Sequence, residues 1–160
     1  MNIALYTLTS PLHDEKAVNA VSKEFLEDIE RTLEMDFDFR GNDFSCYGDS
    51  DLDIIFVRTG GTEGLFKEVF PKLEGKILLL TSGKSNSLAA SLEIMSYLNQ
   101  QGRCGEILHG SKEYIAERIS ILAKVSAARK KLNGTNLGII GQPSDWLISS
   151  NADKNSVKER

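Results

Sequence analysis

The chain has 160 residues, a formal net charge of -4 at neutral pH and a pI near 5.3. This length fits one domain, and about 68–70% of the unfolded chain's surface is buried on folding at this size, so a core forms without disulfides. The acidic balance argues against nucleic acid or an anionic membrane as partner, because both favour a basic surface. The chain starts without a signal-peptide pattern, and no apolar run approaches the ~18 residues of a spanning helix, so we expect a cytoplasmic protein.

Short apolar runs alternate with amphipathic stretches along the first half of the chain. Ile3–Leu8 predicts a first strand, and Asp14 precedes a stretch whose apolar residues recur near the helical period, which predicts a helix capped by Asp14. Met35–Phe39 alternates strictly, as a half-exposed edge strand does. After a polar, glycine-bearing stretch, Asp53–Val57 is apolar almost throughout, which is typical of a strand covered on both faces.

The alternation continues through the second half. Helices are predicted after Thr62, after Ser85 or Asn86, and after Ser111, because each of these residues is a favoured N-cap. The remaining predicted strands are Lys76–Leu80, Arg103–Leu108 and Leu137–Ile140.

Regular alternation of strands and helices implies right-handed crossovers between parallel strands. The sequence therefore predicts a three-layer α/β fold, flavodoxin-like or Rossmann-like, with a mainly parallel sheet of five to six strands. We expect this α/β domain to occupy residues 1–141. Residues 142–160 would be a linker and the start of a following segment of a longer protein, because Asn151–Arg160 resembles the polar start of a helix without its body.

The loop after the Asp53–Val57 strand contains the sequence Arg58-Thr59-Gly60-Gly61-Thr62-Glu63. Ligands of open parallel sheets bind beyond the carboxyl ends of the strands, where glycines allow tight turns and the next helix presents free N–H groups. A phosphate, a carboxylate or a sugar hydroxyl could bind here, and a simple strand-to-helix turn would use the same residues. The candidate ligand contacts are Arg58, Gly60, Gly61, Thr62 and Glu63.

Other loops lack the features of familiar catalytic sites. Gly83-Lys84-Ser85 resembles the end of a nucleotide P-loop, but the earlier glycine is missing, so the segment is either a helix cap or a polar ligand contact. His13 and His109 are the only histidines and are not accompanied by a clustered ligand set. We assign no catalytic residue and no metal ligand.

The most informative motif is Gly141-Gln142-Pro143-Ser144-Asp145-Trp146-Leu147-Ile148. An indole after a strand can stack on the apolar face of a sugar while Ser144 and Asp145 bond its hydroxyls. Trp146 could equally plug a domain boundary. The residues alone leave both interpretations open.

Together with Val57–Glu63 and Asn86–Ile94, this motif resembles the amino-terminal domain of L-fucose isomerase-like proteins, the fucose/arabinose isomerase group. The resemblance implies a domain of an aldose–ketose isomerase that contributes substrate contacts and packs in a homo-oligomer, without a complete active site and without a cofactor of its own. It implies Mn²⁺ in the full-length protein, held by two carboxylates and a histidine of later domains. It also implies that the substrate contacts include Gln142, Ser144, Asp145 and Trp146.

A second interpretation comes from a different class of protein. The chain would then be a stand-alone regulatory α/β domain that binds a small ligand or an anion at the Gly60-Gly61 loop.

Overall fold

The computed structural model describes residues 1–133, 135, 136, 141, 146, 153, 155 and 156. The elements follow one another in the order β1 (Ile3–Leu8), α1 (Glu15–Leu33), β2 (Asp38–Gly41), β3 (Leu52–Val57), α2 (Glu63–Val69), β4 (Ile77–Leu80), α3 (Ser87–Gln100), β5 (Gly105–Leu108) and α4 (Lys112–Asn133). Each strand except β2 is followed by a helix. The strand predicted at Leu137–Ile140 lies outside the described residues.

The five described strands form one parallel sheet in the order β2-β1-β3-β4-β5. This is the flavodoxin-like order, in which the chain winds outward in both directions from the boundary between β1 and β3. Helices α2 and α3 cover one face of the sheet, and α1 and α4 cover the other. The predicted three-layer α/β fold is confirmed.

The central strands are apolar because water reaches neither of their faces. Every residue of β1 and β4 is buried, and within β3 only Asp53 is not fully buried. Alternate side chains of these strands enter two separate cores, one under α2 and α3 and one under α1 and α4. The continuous apolar runs at β3 and β4 are therefore strands buried on both faces, as the sequence predicted.

Strand β2 lies at an edge of the sheet, as predicted, but it begins at Asp38 and not at Met35. The backbone N–H of Met35 donates to the Glu30 carbonyl, and the N–H of Phe37 donates to Glu30 Oε1 at 2.9 Å. These bonds hold the segment against the end of α1, where Met35 and Phe37 pack on the core. The apolar residues Met35 and Phe37 therefore alternate with polar ones because they contact α1, and of the three apolar residues only Phe39 belongs to β2.

The predicted helix caps are confirmed at two positions. Asp14 Oδ1 accepts from the N–H of Ala17 at 2.9 Å, and Ser111 Oγ accepts from the N–H of Tyr114 at 3.2 Å. The other two helices begin where expected, but without a side-chain cap. The Thr62 hydroxyl donates instead to the Thr59 carbonyl, and Asn86 has a left-handed backbone with φ of 59°.

An aromatic loop, residues 42–51, replaces a helix between β2 and β3. Phe44 is buried and stacks on Tyr6 with ring centroids 4.9 Å apart, and Tyr47 lies 5.3 Å from the same ring. The loop thus covers the part of the sheet that a helix would otherwise cover, on the same face as α2 and α3.

Two buried polar groups lie beneath this loop. The Tyr6 hydroxyl and Asp53 Oδ1 are buried, and within the described residues neither atom makes a hydrogen bond of good geometry. The Tyr6 hydroxyl and the Gly48 N–H nevertheless lie close enough to the Asp53 carboxyl to offset part of the effect of burial on its pKa. Burial raises the pKa of Tyr6 to about 12, and burial also raises the pKa of Asp53 above its ordinary value. A raised carboxyl pKa means that ionisation of Asp53 opposes folding, so its contribution to stability is present at low pH and is lost as the pH rises through the folded-state value.

We expect Asp53→Asn to raise the free energy of unfolding at neutral pH, because the amide keeps the shape of the side chain without a charge to bury. The advantage should shrink as the pH falls below the folded-state pKa of Asp53, where the carboxyl of the wild type also becomes neutral. Urea unfolding of both proteins at several pH values measures the difference. Asp36→Asn, at an exposed position, is the control and should change stability by less than about 0.5 kcal/mol. A less stable Asp53→Asn protein at neutral pH would contradict the expectation.

Candidate functional site

The carboxyl ends of β1 and β3 meet at the point where the winding of the sheet changes direction. The loops after these strands are joined by two bonds: the N–H of Arg58 donates to the Leu8 carbonyl at 3.0 Å, and the N–H of Ser10 donates to Thr59 Oγ1 at 2.9 Å. Thr59 and Ser10 are both buried. In this fold, the crevice at such a switch point is where ligands bind.

Gly60 brings a third loop, the one after β4, against this crevice. Its N–H donates to the Ser85 carbonyl at 2.7 Å, and a Cβ added at Gly60 would lie only 2.9 Å from Cβ of Asn86. Gly61 has a φ of +73°, and a Cβ there would lie 3.2 Å from Ser10 Oγ. The two glycines are therefore required for the close approach of three loops. The sequence by itself indicates only the tight turn that glycine allows.

The β4 loop is shaped by a buried hydroxyl pair that the sequence did not single out. Thr81 Oγ1 donates to Ser87 Oγ at 2.7 Å, and the N–H of Gly83 donates to Thr81 Oγ1 at 3.1 Å. The Thr81 carbonyl lies 3.2 Å from His109 Nδ1, from the β5 loop. This network turns the loop so that Asn86 faces the β3 loop.

These loops enclose an open cleft of about 390 Å³. A volume of this size is at the lower end of small-molecule sites. A hydroxyl, an amide, an imidazole, one carboxylate and apolar side chains share the lining. The lining residues are Ser10, Leu12, His13, Gly60, Gly61, Glu63, Asn86, Ala89 and Ala90.

The predicted contacts of the β3 loop do not all reach this cleft. Gly60, Gly61 and Glu63 line it, whereas Thr62 is buried and its hydroxyl bonds the Thr59 carbonyl. Arg58 lines a neighbouring groove between α1 and β2.

The guanidinium of Arg58 faces helix α1. Its Nε donates to Ser22 Oγ at 3.0 Å, one terminal nitrogen donates to Thr9 Oγ1 at 3.2 Å, and the other donates to Asn19 Oδ1. All three donor nitrogens thus join the helix and the β1 loop to the end of β3. In this arrangement Arg58 positions α1 beside the cleft.

The late motif is described at Gly141 and at Trp146. Trp146 is a turn residue whose side chain is 78% exposed, and it belongs to neither core cluster. Gln142, Ser144 and Asp145 lie outside the described residues.

Two features are absent from the described part of the chain. In it, no group of three or more His, Cys, Asp or Glu side chains is arranged to hold a metal ion. None of the helices that the structure describes combines the length and apolar composition that a bilayer crossing requires.

Gly60→Ala should destabilise the protein by about 1–3 kcal/mol, because the added methyl group would force the β3 and β4 loops apart. Gly64→Ala is the matched control, since a Cβ at Gly64 meets nothing within 4 Å and the residue lies in α2. It should leave stability unchanged or raise it by up to about 1 kcal/mol. Thermal unfolding of the two variants tests the contrast, and equal stabilities would show that the loops do not need their close contact.

Comparison with known proteins identifies no relative of this chain. No family model, no curated protein and no solved structure matches the chain.

Proposed function

We propose that the chain is the amino-terminal domain of an aldose–ketose isomerase of the L-fucose isomerase-like group, and that its cleft contributes contacts to the sugar. The domain would be cytoplasmic, would pack in a homo-oligomer and would hold no complete active site. The observation that carries the proposal is the lining of the cleft at the switch point, where a hydroxyl, an amide, an imidazole and a single carboxylate stand beside apolar side chains.

Such a lining suits a neutral polyol. Each sugar hydroxyl both donates and accepts hydrogen bonds, and the Ser10 hydroxyl, the Asn86 amide and the Glu63 carboxylate supply both kinds of partner. Leu12 and Ala89 offer apolar surface for the C–H face of the ring. The exposed indole of Trp146 supports the same assignment, since a sugar platform must be open to its ligand.

Within this proposal the residues of this chain bind and orient the sugar. Conversion of an aldose to a ketose moves one hydrogen from C2 to C1 and one from the C2 hydroxyl to the carbonyl oxygen, and the proposal assigns the acid–base groups of this step to later domains of the full-length protein. Mn²⁺, which would polarise the carbonyl oxygen when bound, would be held outside the described residues, because these contain no clustered ligand set.

The alternative function, a regulatory domain that binds an anion, has less support from the geometry. The Gly60-Gly61 loop does line the cleft, but Glu63 places a carboxylate there, which would repel an anion. His13 is the one basic side chain in the lining, and the nearest cation of the loop, Arg58, lies in the neighbouring groove and bonds α1. A neutral ligand therefore fits the cleft better than a phosphate does.

Titration of the ¹⁵N-labelled protein with neutral aldoses, L-fucose and L-arabinose among them, should shift the amide resonances of Ser10, Gly60 and Asn86. Glu63→Gln should weaken the binding about tenfold, because hydrogen bonds to a charged acceptor are worth about 1.5–3 kcal/mol. Glu68→Gln makes the same charge change at an exposed position of α2 and is the matched control. Saturable shifts with inorganic phosphate alone would favour the regulatory domain, and spectra unchanged by every aldose would refute sugar binding.

Trp146→Ala should change the free energy of unfolding by less than about 1 kcal/mol, since exposed substitutions rarely do more. In the full-length enzyme the same change should raise KM or abolish turnover, because stacking area and orientation are lost together, and Trp146→Phe should restore part of the activity. A loss of about 3–5 kcal/mol on Trp146→Ala, with unchanged turnover, would identify the indole as a buried plug instead.

A further inference from the structure

Strand β2 leaves one side of the sheet open. It pairs with β1 and with no other described strand. At its centre, Phe39 has a side chain that is 59% exposed. An exposed edge strand with a large apolar side chain is a template for pairing with another chain unless something opposes it.

Charged side chains commonly protect natural edge strands, and the charges of β2 have both signs. Asp38 and Arg40 lie on the same face of the strand, since Asp38 Oδ2 accepts from Arg40 Nε at 3.0 Å and from a terminal nitrogen at 2.6 Å. Their side chains are 37% and 36% exposed. A β-bulge at this point offsets the pairing with β1 by one residue, and the ion pair shows that both side chains still share a face.

We propose that β2 pairs antiparallel with β2 of a second copy of this chain, about a two-fold axis at Phe39. In that register Asp38 lies opposite Arg40 of the partner subunit, and Arg40 lies opposite Asp38 of the partner subunit. Residues directly opposite each other on antiparallel strands approach to about 5 Å between Cβ atoms, and opposite charges there attract. The strand is thus complementary to itself in this orientation, as an isologous two-fold interface requires.

The opposite face of β2 adds an apolar contact to this pairing. Phe39 borders a groove of about 390 Å³ between α1 and β2, whose apolar lining includes Leu5, Leu26 and Phe37. Leu26 and Phe37 are only partly buried in the single chain. In the paired form, Phe39 of the partner subunit stands against Phe39 at the rim of this groove and removes further apolar surface from water. This surface is independent of the cleft and of its ligand.

The test uses charge reversal at the two positions. Sedimentation equilibrium of the wild-type protein should show a reversible monomer–dimer equilibrium. Asp38→Arg alone and Arg40→Asp alone should each raise the dimer dissociation constant about tenfold or more, because each places like charges opposite each other at both symmetry-related positions. Far-UV circular dichroism establishes that each variant is folded.

Mixing the two single variants provides the decisive measurement. One variant carries two positive charges at these positions and the other carries two negative charges, so the equimolar mixture should form heterodimers with an affinity near that of the wild type. The double variant Asp38→Arg/Arg40→Asp should also dimerise, since it exchanges the two signs. Glu68→Arg and Lys124→Asp, at exposed positions of α2 and α4, make the same charge changes and should leave the dimer unaffected.

Several results would overturn the proposal. A wild-type protein that stays monomeric at the highest soluble concentration has no such interface. A dimer whose dissociation constant is unchanged in both single variants uses another surface. Folded single variants whose mixture forms no heterodimer would exclude the antiparallel register centred on Phe39.

Discussion

The pairing of β1 with β3 runs without interruption from Ile3 opposite Leu52 to Leu8 opposite Val57, and the rest of the molecule is arranged around it. Because the two strands are parallel and in register, their carboxyl ends finish side by side. The bond from the Ser10 N–H to Thr59 Oγ1 then continues the pairing into the loops. The base of the cleft is therefore held by buried groups at the strand ends and not by flexible surface side chains.

The same pairing also determines where the polar residues at the two ends of β3 lie. At the carboxyl end, Arg58 emerges from β3 towards α1 and bonds two residues of that helix. At the amino end, Asp53 lies on the β3 face that also carries Ile55 and Val57, under the aromatic loop. One strand thus carries a cation with several hydrogen bonds at one end and a half-buried carboxyl at the other. The first stabilises the attachment of a helix, and the second opposes folding when it ionises.

The sequence predicted the elements whose signal is local. Continuous apolar runs identified β3 and β4, and short polar residues identified the caps at Asp14 and Ser111. It placed the start of β2 too early, because the bond from the Phe37 N–H to Glu30 depends on where α1 ends. The aromatic loop was interpreted only as a polar connection, since nothing local indicates that Phe44 stacks on Tyr6.

The candidate site was predictable in part for the same reason. The glycines of the β3 loop stood out in the sequence, because few residues besides glycine allow such turns. Ser10 and Asn86, however, reach the cleft only through the strand order, which places three loops together. The position of Arg58 also depends on distant partners, as Ser22 and Asn19 belong to a helix 36 and 39 residues earlier in the chain.

The aromatic loop has a consequence for the motions of the molecule. The backbone bonds of residues 42–48 are local turns, and this part of the loop is held to the sheet by the rings of Phe44 and Tyr47. The other end is tied more firmly, because Lys130 bonds the carbonyls of Asp49 and Ser50 and the N–H of Asn2 donates to Asp51 Oδ2 at 2.8 Å. Segments held mainly by side-chain packing open at a lower free energy than strands that share a ladder of hydrogen bonds. Opening of residues 42–48 would admit water to Asp53 Oδ1 and to the Tyr6 hydroxyl while the β1–β3 pairing stays intact. Access of water to these two buried atoms would then depend on a local opening of the loop and not on unfolding of the domain.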